Sequence, residues 1–285
     1  MELAIRVITD SACDLPPEFF TTHGIKFASL AVTFPDRTFT DGVDLTRAEF
    51  YARLAAGGAL PMTAQPSPHA FAGLLREALV EADEVIVITL SSGLSGTWES
   101  ACAAKATFSA EEQNRIFLVD SRSASTGEGL LVLRAARLAE AGESGAGIAA
   151  MLEKERAHLA SIFTVDTLEN LRKGGRINRI QAFLGTVLEI KPVFELDAAG
   201  RIAVREKIRG RRKAVRRLLE IMAEEGKNLA AQVVGIAHGH VAEAAEELAQ
   251  AIRERFRVRE VVTGEISATI GTHTGPGCLA VFFAR

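Results

Sequence analysis

The first third of the chain alternates short apolar runs with longer segments of helical periodicity, and no other feature restricts the fold as tightly. A mainly apolar run at residues 4–9 ends in Asp10 and Ser11, and similar runs recur at 84–90 and 115–119. Runs of this length, bounded by polar turn residues, read as buried strands. Between them, residues 68–82 carry Phe71, Leu74, Leu75, Ala78 and Leu79 at helical spacing, and 96–108 reads as a second helix. Strands joined through helices run parallel, so this part is predicted to be an α/β unit around a mainly parallel sheet.

The pattern loosens further on. Residues 123–141 read as a helix, glycines punctuate 142–147, and a helix at 148–159 leads into a strand at 160–165. The rest predicts a strand at 189–196, a helix at 211–225, a strand at 231–237, a helix at 241–256 and two late strands, hence a mixed sheet with helices. A chain of 285 residues exceeds the usual size of one domain. The expected division is 1–159, an amino-terminal α/β domain, and 160–285, a mixed α/β domain.

Charge narrows the function. A formal net charge of -3 provides no general attraction for nucleic acid. Cys13, Cys102 and Cys278 are odd in number and widely spaced, so neither a disulfide framework nor a zinc site is expected. His238 and His240 have strand-like i,i+2 spacing with no third ligand nearby, and no metal is expected there either. The amino terminus lacks the basic start of a signal peptide, and no run approaches the roughly 18 apolar residues of a membrane helix. A soluble cytoplasmic protein, without stable membrane insertion, is the expectation.

Four segments offer chemistry. Leu90-Ser91-Ser92-Gly93-Leu94-Ser95-Gly96-Thr97 joins a predicted strand to a predicted helix, a turn that presents hydroxyls and free N–H groups to an anion, although serines there also simply cap helices. The hydrolase elbow G-x-S-x-G is not completed around Ser95. Met62-Thr63-Ala64-Gln65-Pro66-Ser67-Pro68 places Thr63 on backbone stiffened by two prolines ahead of a helix. Gly271-Thr272-His273-Thr274-Gly275-Pro276-Gly277 reads as a glycine-rich turn holding a histidine before an apolar strand. Arg205-Glu206-Lys207-Ile208-Arg209-Gly210-Arg211-Arg212-Lys213 is the densest basic run, read either as a solvated helix start or as a dock for an acidic or phosphorylated partner.

Taken in order, these segments resemble the DegV family. The resemblance also includes Thr9-Asp10-Ser11, Val119-Asp120-Ser121, Leu171-Arg172-Lys173-Gly174-Gly175-Arg176-Ile177 and Ile190-Lys191-Pro192, and spans almost the whole chain. It implies a two-domain α/β fold with a fatty acid in an apolar tunnel and its carboxylate held between the domains. The family includes the acyl-carrying, FakB-type subunit of bacterial fatty acid kinase, which binds no ATP and works with a separate FakA-type kinase chain. By motif, Thr63 and Ser95 match the hydroxyls that hold the carboxylate, with backbone around Ser92 and Gly96 completing the anion site. Arg209 and His273 match groups associated with phosphate or kinase engagement. Candidate tunnel walls are Phe163, Phe183, Leu184, Val187, Leu188 and Ile190. The resemblance implies no catalytic residue and no cofactor beyond the bound fatty acid.

The sequence departs from the family pattern at Ala64, where a serine commonly follows the threonine, and at Gly210, where a threonine often follows the arginine. The first removes one possible hydroxyl, and the second loosens the basic loop. Two other readings stay open on sequence: a stand-alone esterase using Ser95, and a sensor of a phosphate ligand. The sensor has neither G-x-x-x-x-G-K-[ST] nor a Rossmann glycine motif after the first strand to support it.

Overall fold

The computed structural model describes residues 4–176 and 190–285. The first run forms β1 (Ile5–Asp10), followed by a 3-10 turn at Ser11–Cys13, α1 (Pro17–Thr22) and β2 (Lys26–Ala28). Then come β3 (Ala31–Thr33), β4 (Thr38–Thr40), α2 (Arg47–Ala55), β5 (Met62–Ala64) and α3 (Pro68–Glu81). β6 (Glu84–Thr89), α4 (Thr97–Lys105), α5 (Ala110–Gln113) and β7 (Ile116–Asp120) follow, and α6 (Thr126–Glu140) and α7 (Gly145–Arg156) close this half. Helix starts obey local chemistry. Ser67 accepts from the Ala70 N–H with Pro68 at the first helical position of α3, and Ser109 with Glu112 makes a capping box on α5.

Strands β2-β1-β6-β7 form one sheet, parallel throughout. Its faces are both covered, which explains runs such as Val85–Ile88 that are apolar without alternation. Phe71, Leu75 and Ala78 of α3 and Ala101 and Ala104 of α4 lie on one face. Leu131, Val132 and Leu138 of α6 and Ile148 and Leu152 of α7 lie on the other.

The chain then passes to a second sheet through β8 (Leu159–Thr164), α8 (Glu169–Lys173), β9 (Ile190–Leu196), β10 (Ile202–Arg209), α9 (Arg211–Glu225), β11 (Val233–His238), α10 (Ala242–Phe256), β12 (Glu260–Glu265), α11 (Ala268–Thr274) and β13 (Leu279–Ala284). Its order is β10-β9-β8-β13-β11-β12, and only β11 and β12 pair in parallel, so the expected mixed sheet is present. Ile162, Val281 and Ile236 on its outer face meet α9 and α10. A third sheet, β4-β3-β5, is antiparallel and was not anticipated, because strands of three residues carry too little pattern to read.

One sequence expectation is corrected here. Residues 271–277 are not simply a turn: helix α11 runs to Thr274, and Gly271 inside it is required because a Cβ there would approach the Phe50 ring at 2.6 Å. The basic run spans the end of a strand and the expected helix start. Arg205 to Arg209 belong to β10, where Arg205 pairs with Glu195 at 3.1 Å and also with Glu225, and α9 starts only at Arg211. Glu206 in turn holds Arg217 at 2.8 Å, so much of this charge is neutralised within the hairpin and α9.

Helix α6 lies between the parallel sheet and the inner face of the mixed sheet, which is why it is buried nearly all round. Small residues allow that approach. A Cβ on Gly129 would sit 2.7 Å from the Cys13 carbonyl oxygen and within 2.9 Å of the Leu15 side chain. Gly129→Ala is expected to lower unfolding free energy by about 1–3 kcal/mol, measured by denaturant titration, because neither backbone nor leucine has room to retreat.

Candidate functional site

A cavity of about 330 Å³ lies between α6, the inner face of the mixed sheet, the serine loop and α11. Cross-strand register builds its floor. Phe163 of β8 pairs with Phe194 of β9 and Ala280 of β13, and one rung further Ser161 pairs with Phe282. Phe163, Ala280, Ser161 and Phe282 all face the cavity, as does Leu196, and Phe194 stacks against Phe163 with ring centroids 5.1 Å apart. Leu30, Leu90, Leu94 and Ile270 complete much of the opposite, apolar wall.

One group of polar side chains gathers at the α11 end, while Ser125 and Ser161 line the cavity near the start of α6. Thr63, on the edge strand β5 of the small sheet, and His273, on the last turn of α11, are joined by a Thr63 Oγ1 to His273 Nε2 hydrogen bond of 2.9 Å. Both line the cavity, with Ser95, Gln65 and Arg176. Ser95 shares a 2.9 Å hydrogen bond with Thr97 Oγ1 at the start of α4. The Arg176 side chain donates from Nε to the Leu94 carbonyl at 3.3 Å and from Nη1 to the Gly174 carbonyl at 2.7 Å. It sits in the Lys-Gly-Gly-Arg stretch, where Gly175 turns with φ of +71°, yet sequence reasoning gave it no role.

Ser92 is elsewhere. Its hydroxyl donates to Asp120 Oδ2 at 2.6 Å and its N–H to Asp120 Oδ1 at 3.1 Å, and it is not part of the cavity wall. The N–H of Gly93 goes to Ser91 Oγ, and those of Leu94 and Ser95 go to the Ser91 carbonyl. Donors from Ser92 to Ser95 are therefore engaged inside the loop, and any backbone N–H for an anion must come from the first turn of α4, which Gly96 caps. Gly96 itself lies against the Gln65 amide, where a Cβ would come within 2.7 Å of its Cδ.

Arg209 is exposed at the end of β10 and does not line the cavity. Arg211, two residues on, donates to the Gly277 carbonyl and approaches Asp166 at 3.4 Å, which ties this corner to the turn after α11. Among the tunnel candidates, Phe163 lines the cavity, while Ile190 lies two rungs beyond Phe194 and does not. Phe183, Leu184, Val187 and Leu188 fall outside the described residues.

Charge is kept behind the site. Asp10 accepts from the Ala12 and Leu90 N–H groups at 3.0 and 2.8 Å, fixing the end of β1 to the start of the serine loop. Asp14 accepts from the Ser267 N–H at 2.9 Å and from the Ser125 hydroxyl, and Asp41 accepts from the Thr269 N–H at 2.8 Å. Burial pushes the Asp10 and Asp14 carboxyls up to about 7 against these hydrogen bonds. The Thr-Asp-Ser and Val-Asp-Ser signatures are thus strand ends whose carboxylates position loops. Among the described residues no group of three or more His, Cys, Asp or Glu is placed to hold a metal. His240 bonds Glu265 at 3.0 Å, whereas His238 accepts from the Val241 N–H. No described helix is long and apolar enough to cross a membrane.

The profile of a family described as "uncharacterised protein, DegV family" matches residues 4–285. The chain belongs to the DegV family. A DegV domain-containing protein of Deinococcus radiodurans is 36% identical over 283 residues, covering 98% of both chains. A fatty-acid-binding DegV family protein from Thermus thermophilus superposes with a TM-score of 0.91 at 35% identity, covering 100% of both chains. DegV of Bacillus subtilis, described as a fatty acid binding protein, gives 0.88 at 32%, covering 98% of both. A Ruminococcus gnavus DegV family protein, refined with vaccenic acid, gives 0.90 at 28%, covering 99% of this chain and 100% of that one.

Burial, and then the nearby Arg176 guanidinium, push the His273 imidazole down from 6.5 to about 4. The folded pKa lies below the unfolded one, so the stability linked to this group is complete above about pH 6.5 and is lost as pH falls toward 4. His273→Gln is expected to flatten that part of the stability profile, by roughly 3 kcal/mol at its acid end, as read from denaturant midpoints between the two pH values.

Proposed function

We propose that this chain binds one long-chain fatty acid in the cavity and presents its carboxylate to a separate FakA-type kinase, which converts it to the acyl phosphate. The carrying observation is the cavity's polarity: a largely apolar chamber with hydroxyls, an imidazole and an arginine toward one end. The fatty acids bound by structural relatives that match nearly the whole chain support the same reading. Burying an acyl chain contributes about 0.8 kcal/mol per methylene.

In this reading Thr63 and Ser95 donate to the carboxylate, and the α4 first turn at Gly96 supplies backbone N–H groups. Neutral donors hold an anion without cancelling its charge, so an oxygen stays able to attack a phosphoryl group brought by the kinase. His273, through its bond to Thr63, and Arg209, exposed at the end of β10, are assigned to the phosphoryl-transfer side. The chain acts as a carrier in the cytoplasm, with no cofactor beyond its lipid.

The esterase reading loses support from the geometry. Ser95 bonds Thr97 rather than an imidazole, and among the described residues His273 Nδ1 has no hydrogen-bond partner to orient it as a general base. A phosphate sensor would need a polar chamber, whereas this wall is mostly aliphatic and aromatic.

Denaturing extraction and mass spectrometry of the purified protein should release about one fatty acid per chain. A reproducible bound ligand of another class would replace this reading. After delipidation, Thr63→Ala and Ser95→Ala should each weaken acid binding about tenfold, from one lost hydrogen bond to a charged group. Unchanged affinity in both would remove the carboxylate assignment. Arg209→Ala should leave affinity intact and reduce acyl-phosphate formation with the kinase, and an equal loss of both would refute its partner-facing role.

A further inference from the structure

The mixed sheet carries two hollows on one face, and their separation is thin. Counting down β8, β13 and β11, residues Phe163, Ala280 and Ala237 make one rung of the acyl cavity, and Ser161, Phe282 and Gly235 make the next. The third rung, Leu159, Ala284 and Val233, belongs to a different hollow of about 550 Å³ under the carboxyl-terminal half of α6. Side chains two apart on a strand share a face, so both hollows lie on the face that meets α6, the first at the entry to that helix and the second under its later turns.

The partition between them is specific. Phe282 faces the acyl cavity and Leu130 of α6 faces the second hollow. A Cβ built on Gly235 would lie 3.2 Å from the Phe282 ring and 3.3 Å from Leu130, so the two side chains stand back to back over that glycine. On its other edge the ring meets Gly127 of α6, where a Cβ would come within 2.7 Å of Phe282 Cε1. Glycines on helix and strand together leave the slot that the Phe282 ring fills. Beyond the partition the chemistry changes: Arg134, Arg137, Arg259 and Arg285 line the second hollow with His158. Arg134, Arg137 and Arg285 are each paired with a glutamate, and the Arg259 and His158 side chains are exposed to water.

We propose that Phe282, backed by Leu130, is the end wall that sets the longest acyl chain this protein accepts. The inference rests on the acyl-binding reading and adds the residue that terminates the site. The carboxylate end lies at Thr63, Ser95 and His273, and the sheet rungs lead from Ala280 and Phe163, near α11, down to Phe282. An ω-methyl reaching that ring meets packed aromatic carbon. Without the ring it would enter a hollow with an apolar floor and a hydrated rim of largely paired charges.

The test is a binding series of saturated acids from dodecanoic to tetracosanoic, competed against a fluorescent acyl probe on delipidated protein. The wild type should gain affinity with length and then lose at least about tenfold at a cut-off, the energetic sign of overpacking. Phe282→Ala should move that cut-off up by about five carbons, the span of one rung of about 7 Å. Phe282→Leu, a milder change that keeps the slot filled, should move it the same way by fewer carbons, and Leu130→Ala alone should move it least because the ring remains. Circular dichroism and thermal melts establish that each variant is folded. A folded Phe282→Ala or Phe282→Leu protein with the wild-type cut-off overturns the wall assignment while leaving acyl binding intact. A wild type that binds no acid of any length removes the acyl reading itself, and the length-setting role with it.

Discussion

Helix α6 is covered by a sheet on each side, and its placement fixes the site. The first turn of that helix is fully buried, so each polar side chain of its entry must find a partner. Ser123 bonds Ser161 at 3.0 Å, Ser125 bonds Asp14, Thr126 donates to the Ile236 carbonyl at 3.1 Å, and Glu128 accepts from Thr9 at 2.9 Å. These bonds run to β8, to the turn after β1, to β11 and to β1 itself. They hold the amino-terminal end of α6 to both sheets at once, and Ala124 and Ser125, just ahead of that end, line the cavity.

Charge and neutrality are divided by depth. Carboxylates at Asp10, Asp14, Asp41 and Asp120 accept from backbone N–H groups and give the loops their shape. The groups facing the cavity are mostly neutral hydroxyls and an imidazole that burial keeps uncharged near neutral pH. An arriving anion thus meets Arg176 and neutral donors, with the acidic groups already occupied by the scaffold.

Long elements were legible because their apolar periodicity repeats. The α9 boundaries match the expected 211–225, and β6 and α3 fall within a residue of the expected ends. The small sheet was invisible, since β3, β4 and β5 have three residues each, although it carries Thr63. Composition misled at α11: glycine and threonine suggest a turn, but the close approach of Phe50 demands a glycine inside a helix. The serine loop shows a different limit. Spacing could not tell Ser92 from Ser95, because the deciding group is Asp120, which lies 28 residues further along the chain from Ser92. The basic run was likewise resolved only by its distant glutamates, Glu195 and Glu225.

The hydrogen bond between Thr63 and His273 crosses from the small sheet to α11 and joins residues 210 positions apart. Each side chain satisfies a polar atom of the other across the two elements. An edge strand of three residues is thereby anchored to a helix late in the chain, so the position of Thr63 depends on α11 as much as on its own sheet.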